Sequence, residues 1–239
     1  MNLKKLKDIS INAALVAGKF LVKNKLEQKK IFKEDGRDIK LIIDQDTEKL
    51  IRSSLQKTDI PILGEEYGGE ISEEKYWVID PIDGTANYFR GLDECCVSIA
   101  LMENDEALIG VIYNFNNNQM YTAIKDQGAF LNNTEISVSN IASRDKASIT
   151  TGFPASETIE SSMNFLENLK DWKKVRMFGS AALSCAYVAS GKCDYYAEKG
   201  VYLWDIAAGI CLVKEAGGSA EFKLIDKERY EVVFSNNLL

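Results

Sequence analysis

The sequence predicts an α+β/α/β chain whose two halves are built differently, and three observations carry that expectation. A long stretch of helical periodicity opens the chain, a series of short apolar runs broken by polar turns follows, and strand-like and helix-like segments then alternate. With 239 residues, 46% hydrophobic and 27% charged, there is material for one large domain or two half-sized lobes.

Over 3–28, Leu6, Ile9, Ile11, Ala14, Leu15, Ala17, Phe20, Leu21 and Leu26 recur at mostly helical spacing with lysines between them, the pattern of a long amphipathic helix. A polar loop is expected over 33–37. The run Lys40-Leu41-Ile42-Ile43 then leads into Asp44-Gln45-Asp46-Thr47-Glu48 and a second helical pattern through Leu50, Ile51 and Leu55, which puts Asp44 at or beside a helix N-terminus. Ile60-Pro61-Ile62-Leu63 reads as a short strand that stops at Gly64-Glu65-Glu66, and 76–79 as another, so acidic residues end two neighbouring strands. Runs at 95–102, 107–113, 120–124 and 129–131, separated by turns such as Glu103-Asn104-Asp105 and Asn116-Asn117-Asn118, predict an antiparallel meander. Beyond them the alternation begins, with strands expected at 148–151, 175–178, 193–197, 219–222 and 232–234 and helices at 159–169, 180–189 and 204–216. The boundary falls near Asn140 and divides the chain into lobes 1–140 and 141–239.

One stretch concentrates the chemistry. Trp77-Val78-Ile79-Asp80-Pro81-Ile82-Asp83-Gly84-Thr85 is an apolar strand that delivers two carboxylates to a sheet edge and turns through Gly84 into a helix start. Carboxylates suit a hard divalent cation, and the exposed N–H groups of a helix start suit a phosphate. Cation and phosphate side by side suggest phosphoryl chemistry.

Composition narrows the classes further. Histidine is absent, which removes Ser-His-Asp catalysis, histidine phosphatases and the usual His-bearing zinc sites. The five cysteines, Cys95, Cys96, Cys185, Cys193 and Cys211, form no Cys-x-x-Cys pair and none has an arginine six positions on, so they read as reduced core residues. Gly191-Lys192 lacks the earlier glycine of a Walker loop. A net charge of -7 argues against a broad nucleic-acid face and for small metabolites as partners. The N-terminal helix is interrupted by Asp8, Asn12, Lys19 and Lys23, which fits neither a signal peptide nor a membrane span and makes the cytoplasm the expected location.

Gly64-Glu65-Glu66, the stretch from Trp77 to Tyr88, Trp204-Asp205-Ile206-Ala207-Ala208-Gly209 and Glu215-Ala216-Gly217-Gly218 together resemble the inositol monophosphatase family of magnesium-dependent, lithium-sensitive sugar and nucleotide phosphatases. The resemblance implies a layered α-β-α-β-α sandwich, usually a homodimer, that hydrolyses a phosphate monoester by direct attack of a metal-activated water. Carried over residue by residue, it makes Glu65, Asp80 and the Ile82 carbonyl ligands of one Mg²⁺, and Asp80, Asp83 and Asp205 ligands of a second, with a third, weaker ion beside Glu65. Asp44 and Thr85 match the pair that orients the attacking water, Gly84 and Thr85 the N–H groups that hold phosphate oxygens. Glu198 matches a carboxylate set against sugar hydroxyls, with Gly179-Ser180-Ala181 lining the same pocket beside Asp205. Phe153-Pro154 and 176–179 would complete the wall. Asn87-Tyr88 agrees with the inositol monophosphatase branch rather than with the Lys-Glu-Phe of the nucleotide bisphosphatases, and so favours inositol 1-phosphate or a related sugar phosphate over 3′(2′),5′-bisphosphates. Fructose 1,6-bisphosphate is a further alternative, and a non-catalytic regulatory subunit a third; every ligand position that the latter would be expected to lose is intact.

Three residue-level alternatives bear on this. Leu41-Ile42-Ile43-Asp44-Gln45-Asp46-Thr47 looks like the strand-then-Asp-x-Asp motif of haloacid dehalogenase-type phosphatases, which would form an aspartyl-phosphate at Asp44, but Glu48 stands where that motif wants Thr or Val and Asp80, Asp83 and Asp205 would have no role. Trp77 and Trp204 are expected in the core rather than against a substrate. Glu66 is expected to support its neighbour Glu65.

Overall fold

The computed structural model describes residues 2–25, 31–35, 38–152, 158, 163, 167 and 169–239, with the backbone path alone for 31–35 and 38–41. Helix α1 (Leu3–Asn24) starts where the Asn2 side chain accepts from the Lys5 N–H at 2.9 Å, and buries Leu6, Ala13, Ala14, Ala17 and Leu21 along one face. Of the polar loop expected over 33–37, 33–35 belong instead to β1 (Ile31–Asp35), which pairs antiparallel with β2 (Asp38–Leu41), and 36–37 lie outside the described residues; the charged residues of this stretch hid the strands from any reading that looks for apolar alternation. Helix α2 (Ile42–Leu55) begins at once after β2, so Asp44 lies in its first turn.

A seven-stranded sheet follows, in the order β3-β4-β5-β6-β7-β8-β9, from β3 (Ile62–Gly64), β4 (Lys75–Asp83), β5 (Cys96–Glu103), β6 (Glu106–Asn114), β7 (Gln119–Ile124), β8 (Ala129–Leu131) and β9 (Thr134–Ile136). The expected meander is present from β4 to β9, and β9 extends it by a strand too polar to announce itself. Short helix α3 (Thr85–Arg90) interrupts it between β4 and β5. The central strands are buried on both faces by strict alternation. Trp77 and Ile79 of β4 with Val97, Ile99 and Leu101 of β5 pack on α1 and α2. Tyr76, Val78, Cys96, Ala100 and Met102 face the other way, into a core shared with α4 (Ala181–Ala189) and α5 (Leu203–Glu215).

Those two helices are covered in turn by a five-stranded sheet, ordered β11-β10-β12-β14-β13, from β10 (Ser148–Thr150), β11 (Lys174–Arg176), β12 (Tyr195–Tyr202), β13 (Ser219–Asp226) and β14 (Arg229–Ser235). Tyr196, Val232 and Phe234 meet the helices, while Ile149 and Tyr195 turn outward to Leu169 and Trp172. The helix expected over 159–169 lies largely outside the described residues; Met163 and Glu167 within it are helical. Helices, sheet, helices, sheet and the outer cluster make the layered α/β sandwich that the sequence predicts. All five cysteines are buried and free. No helix among the described residues is long and apolar enough to cross a membrane.

Candidate active site

Strand β4 does not stop at Ile79; it continues through Asp83 with a break in register. Asp80 pairs with Ser98 and Asp83 with Cys96, so β4 holds one residue more than β5 over this interval. In a regular pleat, residues three apart point to opposite faces; the extra residue brings both carboxylates to the side of α4 and α5. Pro81, which has no N–H to give to a ladder, sits within the irregularity. Ile82 is skipped by the ladder: its N–H donates to Asp80 Oδ1 at 2.9 Å, and its carbonyl accepts from Thr85 Oγ1 at 2.9 Å. Gly84 then turns the chain into α3 with φ of 87°, and an added Cβ there would lie 2.8 Å from the Glu94 carbonyl.

The buried carboxylates are held from two helix starts. Asp83 accepts from the Ser180 hydroxyl, from the Ala182 N–H at 2.8 Å and from the Ala181 N–H at 3.3 Å, at the beginning of α4. Asp205, in the first turn of α5, accepts from the Tyr202 N–H at 2.7 Å. Negative charge is favoured at both places by the helix termini. Asp80, Asp83 and Asp205 bring carboxylate oxygens within 4.8 Å of one another. Asp80 is 2% and Asp83 7% exposed, and among the described residues no lysine or arginine pairs with any of the three. Burial pushes all three carboxyls above the usual range. Asp80 is the centre of the group: Glu65, Asp83, Asp205 and Asp44 each raise it further by their charge. A cluster of oxygen donors without a counter-charge is a poor structural device and a good fit to a hard divalent cation.

The cluster lies at a cavity of about 460 Å³. Glu65, Asp80, Ile82, Asp83, Gly84, Thr85, Gly179, Ser180, Ala181, Glu198 and Asp205, all singled out by the sequence, line it. Met177 and Phe178 contribute to the wall as well, whereas Phe153 and Pro154 fall outside the described residues. Asp44 stands behind the lining, 2% exposed, with Oδ1 3.5 Å from Thr85 Oγ1. The threonine hydroxyl is nearer to the Ile82 carbonyl than to this carboxylate. Because α2 begins at Ile42, Asp44 is on a helix and not at a strand end, which removes the Asp-x-Asp nucleophile reading. Ser180 and Ala181 direct their donors at Asp83 rather than leaving them open. Glu198 on β12 accepts from the Tyr196 hydroxyl at 3.0 Å, and burial pushes its carboxyl up to about 7. Its carboxylate occupies the space over Gly152, where a Cβ would come within 2.6 Å of Oε1.

Several supporting residues escaped the sequence reading. Glu48, fully buried, pairs with Arg52 at 2.7 Å and accepts from the Glu66 N–H at 2.7 Å and the Tyr67 N–H at 3.3 Å, so it fixes the loop that carries Glu65. The signal was the i, i+4, i+8 spacing of Asp44, Glu48 and Arg52 on one face of α2. Asn87 Nδ2 donates to the Glu94 and Phe178 carbonyls, each at 2.7 Å, and ties α3 to the loop ahead of α4. Trp77 is fully buried and Trp204 packs partly buried against the central core, as expected; Trp204 also borders the cavity, its ring stacked on Tyr202 at 4.6 Å. Arg229 completes that wall. Nothing local in the sequence distinguishes it from the other surface charges of 223–231.

The chain is similar to known proteins. The model of the inositol monophosphatase family matches residues 2–221. The Xylella fastidiosa protein named Nus factor SuhB is 39% identical over 232 residues, 94% of this chain and 84% of its own length. A fructose-1,6-bisphosphatase/inositol-1-monophosphatase of Thermotoga maritima is 35% identical over 209 residues, 85% of this chain and 80% of that one. Among solved structures, the extragenic suppressor protein suhB of Bartonella henselae superposes with a TM-score of 0.91 at 31% identity, over 98% of this chain and 95% of that one. With the family's pattern matched across nearly the whole chain and its fold reproduced layer by layer, the protein belongs to the inositol monophosphatase family.

Proposed function

We propose that the protein is a magnesium-dependent phosphate monoester hydrolase acting on inositol 1-phosphate or a related sugar phosphate. The observation that carries this reading is the convergence of Asp80, Asp83 and Asp205 within 4.8 Å at the edge of a cavity that also holds Glu65, Thr85 and Glu198. Glu65, Asp80 and the Ile82 carbonyl would hold one ion, Asp80, Asp83 and Asp205 a second, and a third would bind weakly beside Glu65; the central place of Asp80 among the other carboxylates supports its sharing. Bound there, the ions supply Lewis acidity toward the phosphoryl oxygens and make a water acidic enough to attack at neutral pH.

The chain's own groups do the rest. Thr85 Oγ1 lies within reach of both the Ile82 carbonyl and Asp44 Oδ1; with its hydroxyl donating to the Asp44 carboxylate, the oxygen would accept a hydrogen bond from the attacking water and so point a water lone pair at phosphorus. The N–H groups of Gly84 and Thr85, without partners inside α3, donate to phosphate oxygens. Ser180 and the first N–H groups of α4 hold Asp83 in place and favour its ionised form against the effect of burial, as the Tyr202 N–H does for Asp205. Glu198 accepts from substrate hydroxyls on the opposite wall, which suits a polyol. A division into lobes 1–140 and 141–239 accords with a cavity that draws residues from both sheets.

Phosphate release with magnesium, with and without chelator, tests the reading across inositol 1-phosphate, fructose 1,6-bisphosphate, other sugar phosphates and 3′-phosphoadenosine 5′-phosphate. The expected result is chelator-sensitive turnover with the highest kcat/KM on an inositol or sugar phosphate, inhibited by lithium. Preference for the adenosine bisphosphate would overturn the substrate assignment and keep the chemistry. No magnesium-dependent release from any of them would favour a regulatory role, in line with the Nus factor name of some relatives.

A further inference from the structure

The cavity is strongly acidic, yet among the described residues one cation, Arg229, lines it. Arg229 reaches in from β14, and the partners that hold it carry no charge: Nη1 donates to the Gly200 carbonyl at 2.7 Å, Nη2 to the Tyr202 hydroxyl at 2.7 Å, and the guanidinium lies 4.4 Å from the centre of the Tyr202 ring. A guanidinium has five N–H donors, and these two bonds use two of them. Glu65, Asp80, Asp83, Glu198 and Asp205 line the same cavity, but no carboxylate lies within ion-pair distance of Arg229 among the described residues. Tyr202 sets the spacing. Its backbone N–H is bound to Asp205 and its hydroxyl to Arg229, so the guanidinium stands one tyrosine side chain away from the acidic cluster, braced by the Tyr202–Trp204 stack.

An arginine held by neutral groups, pre-oriented, with donors to spare and facing a cavity, is built for an anion. The scissile phosphate is served at the other end by the carboxylate cluster and the α3 N–H groups. We infer that Arg229 forms a second anion subsite, so that the favoured substrate carries a second phosphate, on the far side of the sugar from the bond that is cut. This inference rests on the phosphatase reading above and sharpens it. Arg229 is here a specificity-determining residue, not a participant in the hydrolysis.

The test compares two sugars that differ only in the second group, fructose 1,6-bisphosphate and fructose 1-phosphate, on the wild-type chain, Arg229→Gln and Arg229→Lys. The quantity read is the ratio of kcat/KM for the bisphosphate to that for the monophosphate. Wild type should favour the bisphosphate, and the glutamine variant should lower the ratio by about tenfold or more, as loss of a charge-assisted contact implies. The lysine variant, which keeps the charge without the fork, should restore part of it. Equal losses on both sugars with an unchanged ratio would overturn the subsite and leave Arg229 as a clasp on Tyr202. Calorimetric binding of the two sugars separates this from failure of the phosphatase reading: tighter binding of the bisphosphate that Arg229→Gln abolishes supports the subsite even without turnover. Equal binding of both sugars by wild type overturns it.

Discussion

The two walls of the cavity are held in place by different means. The wall from β4 and α3 is fixed by the main chain: an extra residue in the strand, a left-handed Gly84 and helix-start N–H groups closed on Asp83 leave its carboxylates almost no freedom. The wall from β12, α5 and β14 is fixed by side chains on side chains, with Tyr196 on Glu198, Tyr202 on Trp204 and Arg229 on Tyr202. The first arrangement tolerates little change and guards the chemistry. The second can be altered one side chain at a time, which is what a recognition surface needs if substrates are to diverge over a constant reaction.

Asp80→Asn should break the first wall most completely. It keeps the shape but removes the charge at the centre of the cluster, and kcat should fall by at least about a thousandfold, with loss of divalent-cation binding in a direct titration. The same variant should melt higher than wild type in chelator, because a buried, repelled charge is gone. Near-normal turnover would refute the shared-ligand role. Gly84→Ala comes next. With φ at 87° and the Glu94 carbonyl in the way, the added Cβ should cost about 1–3 kcal/mol in denaturant unfolding and take activity with it. If it were tolerated, the idea of a wall fixed by its backbone would fail.

Glu198→Gln addresses the second wall through pH. Burial raises the Glu198 carboxyl from 4.5 to about 7, so its protonated form contributes stability that is present below 4.5 and lost as pH rises through about 7. Unfolding in chelator should therefore show the variant losing less stability than wild type between about pH 5 and about pH 8. Parallel curves would mean that the carboxylate is better solvated than its setting implies. The smallest effect belongs to Tyr202→Phe, which removes one acceptor from Arg229 at the cavity rim and should cost less than about 1 kcal/mol in thermal unfolding. A much larger loss would show that this wall is as interdependent as the other.

How much could be read in advance follows the same division. Asp80, Asp83, Gly84 and Thr85 lie within six residues of chain, so local pattern was enough to find them, whereas Asp205 was found through the motif Trp204–Gly209 that carries the family resemblance. The clean periodicity of α1, α2 and the central strands made those elements legible, while their layered order came from the family resemblance. What could not be read were features that depend on distant pairing. The polar hairpin β1–β2 and the charged stretch 223–231 carry no apolar alternation and form strands through their partners. Strand β12 extends through Gly200 to Tyr202 because β14 pairs along it, and only that pairing brings Arg229 beside Tyr202. Trp204 packs against the central core as expected, and its stacking on Tyr202 at the cavity edge is what the sequence could not show.

The irregularity between Asp80 and Asp83 has a consequence for how the site could be dismantled. Because Ile82 is left out of the ladder, its carbonyl accepts from the Thr85 hydroxyl instead of from a neighbouring strand, and on the proposed reading it would also serve as a ligand. Mutation exchanges side chains and leaves that oxygen where it is. If that carbonyl is a ligand as proposed, alanine scanning of the centre would never remove every ligand; an insertion or deletion in the strand, which shifts its pairing frame, would be needed to take the peptide oxygen away.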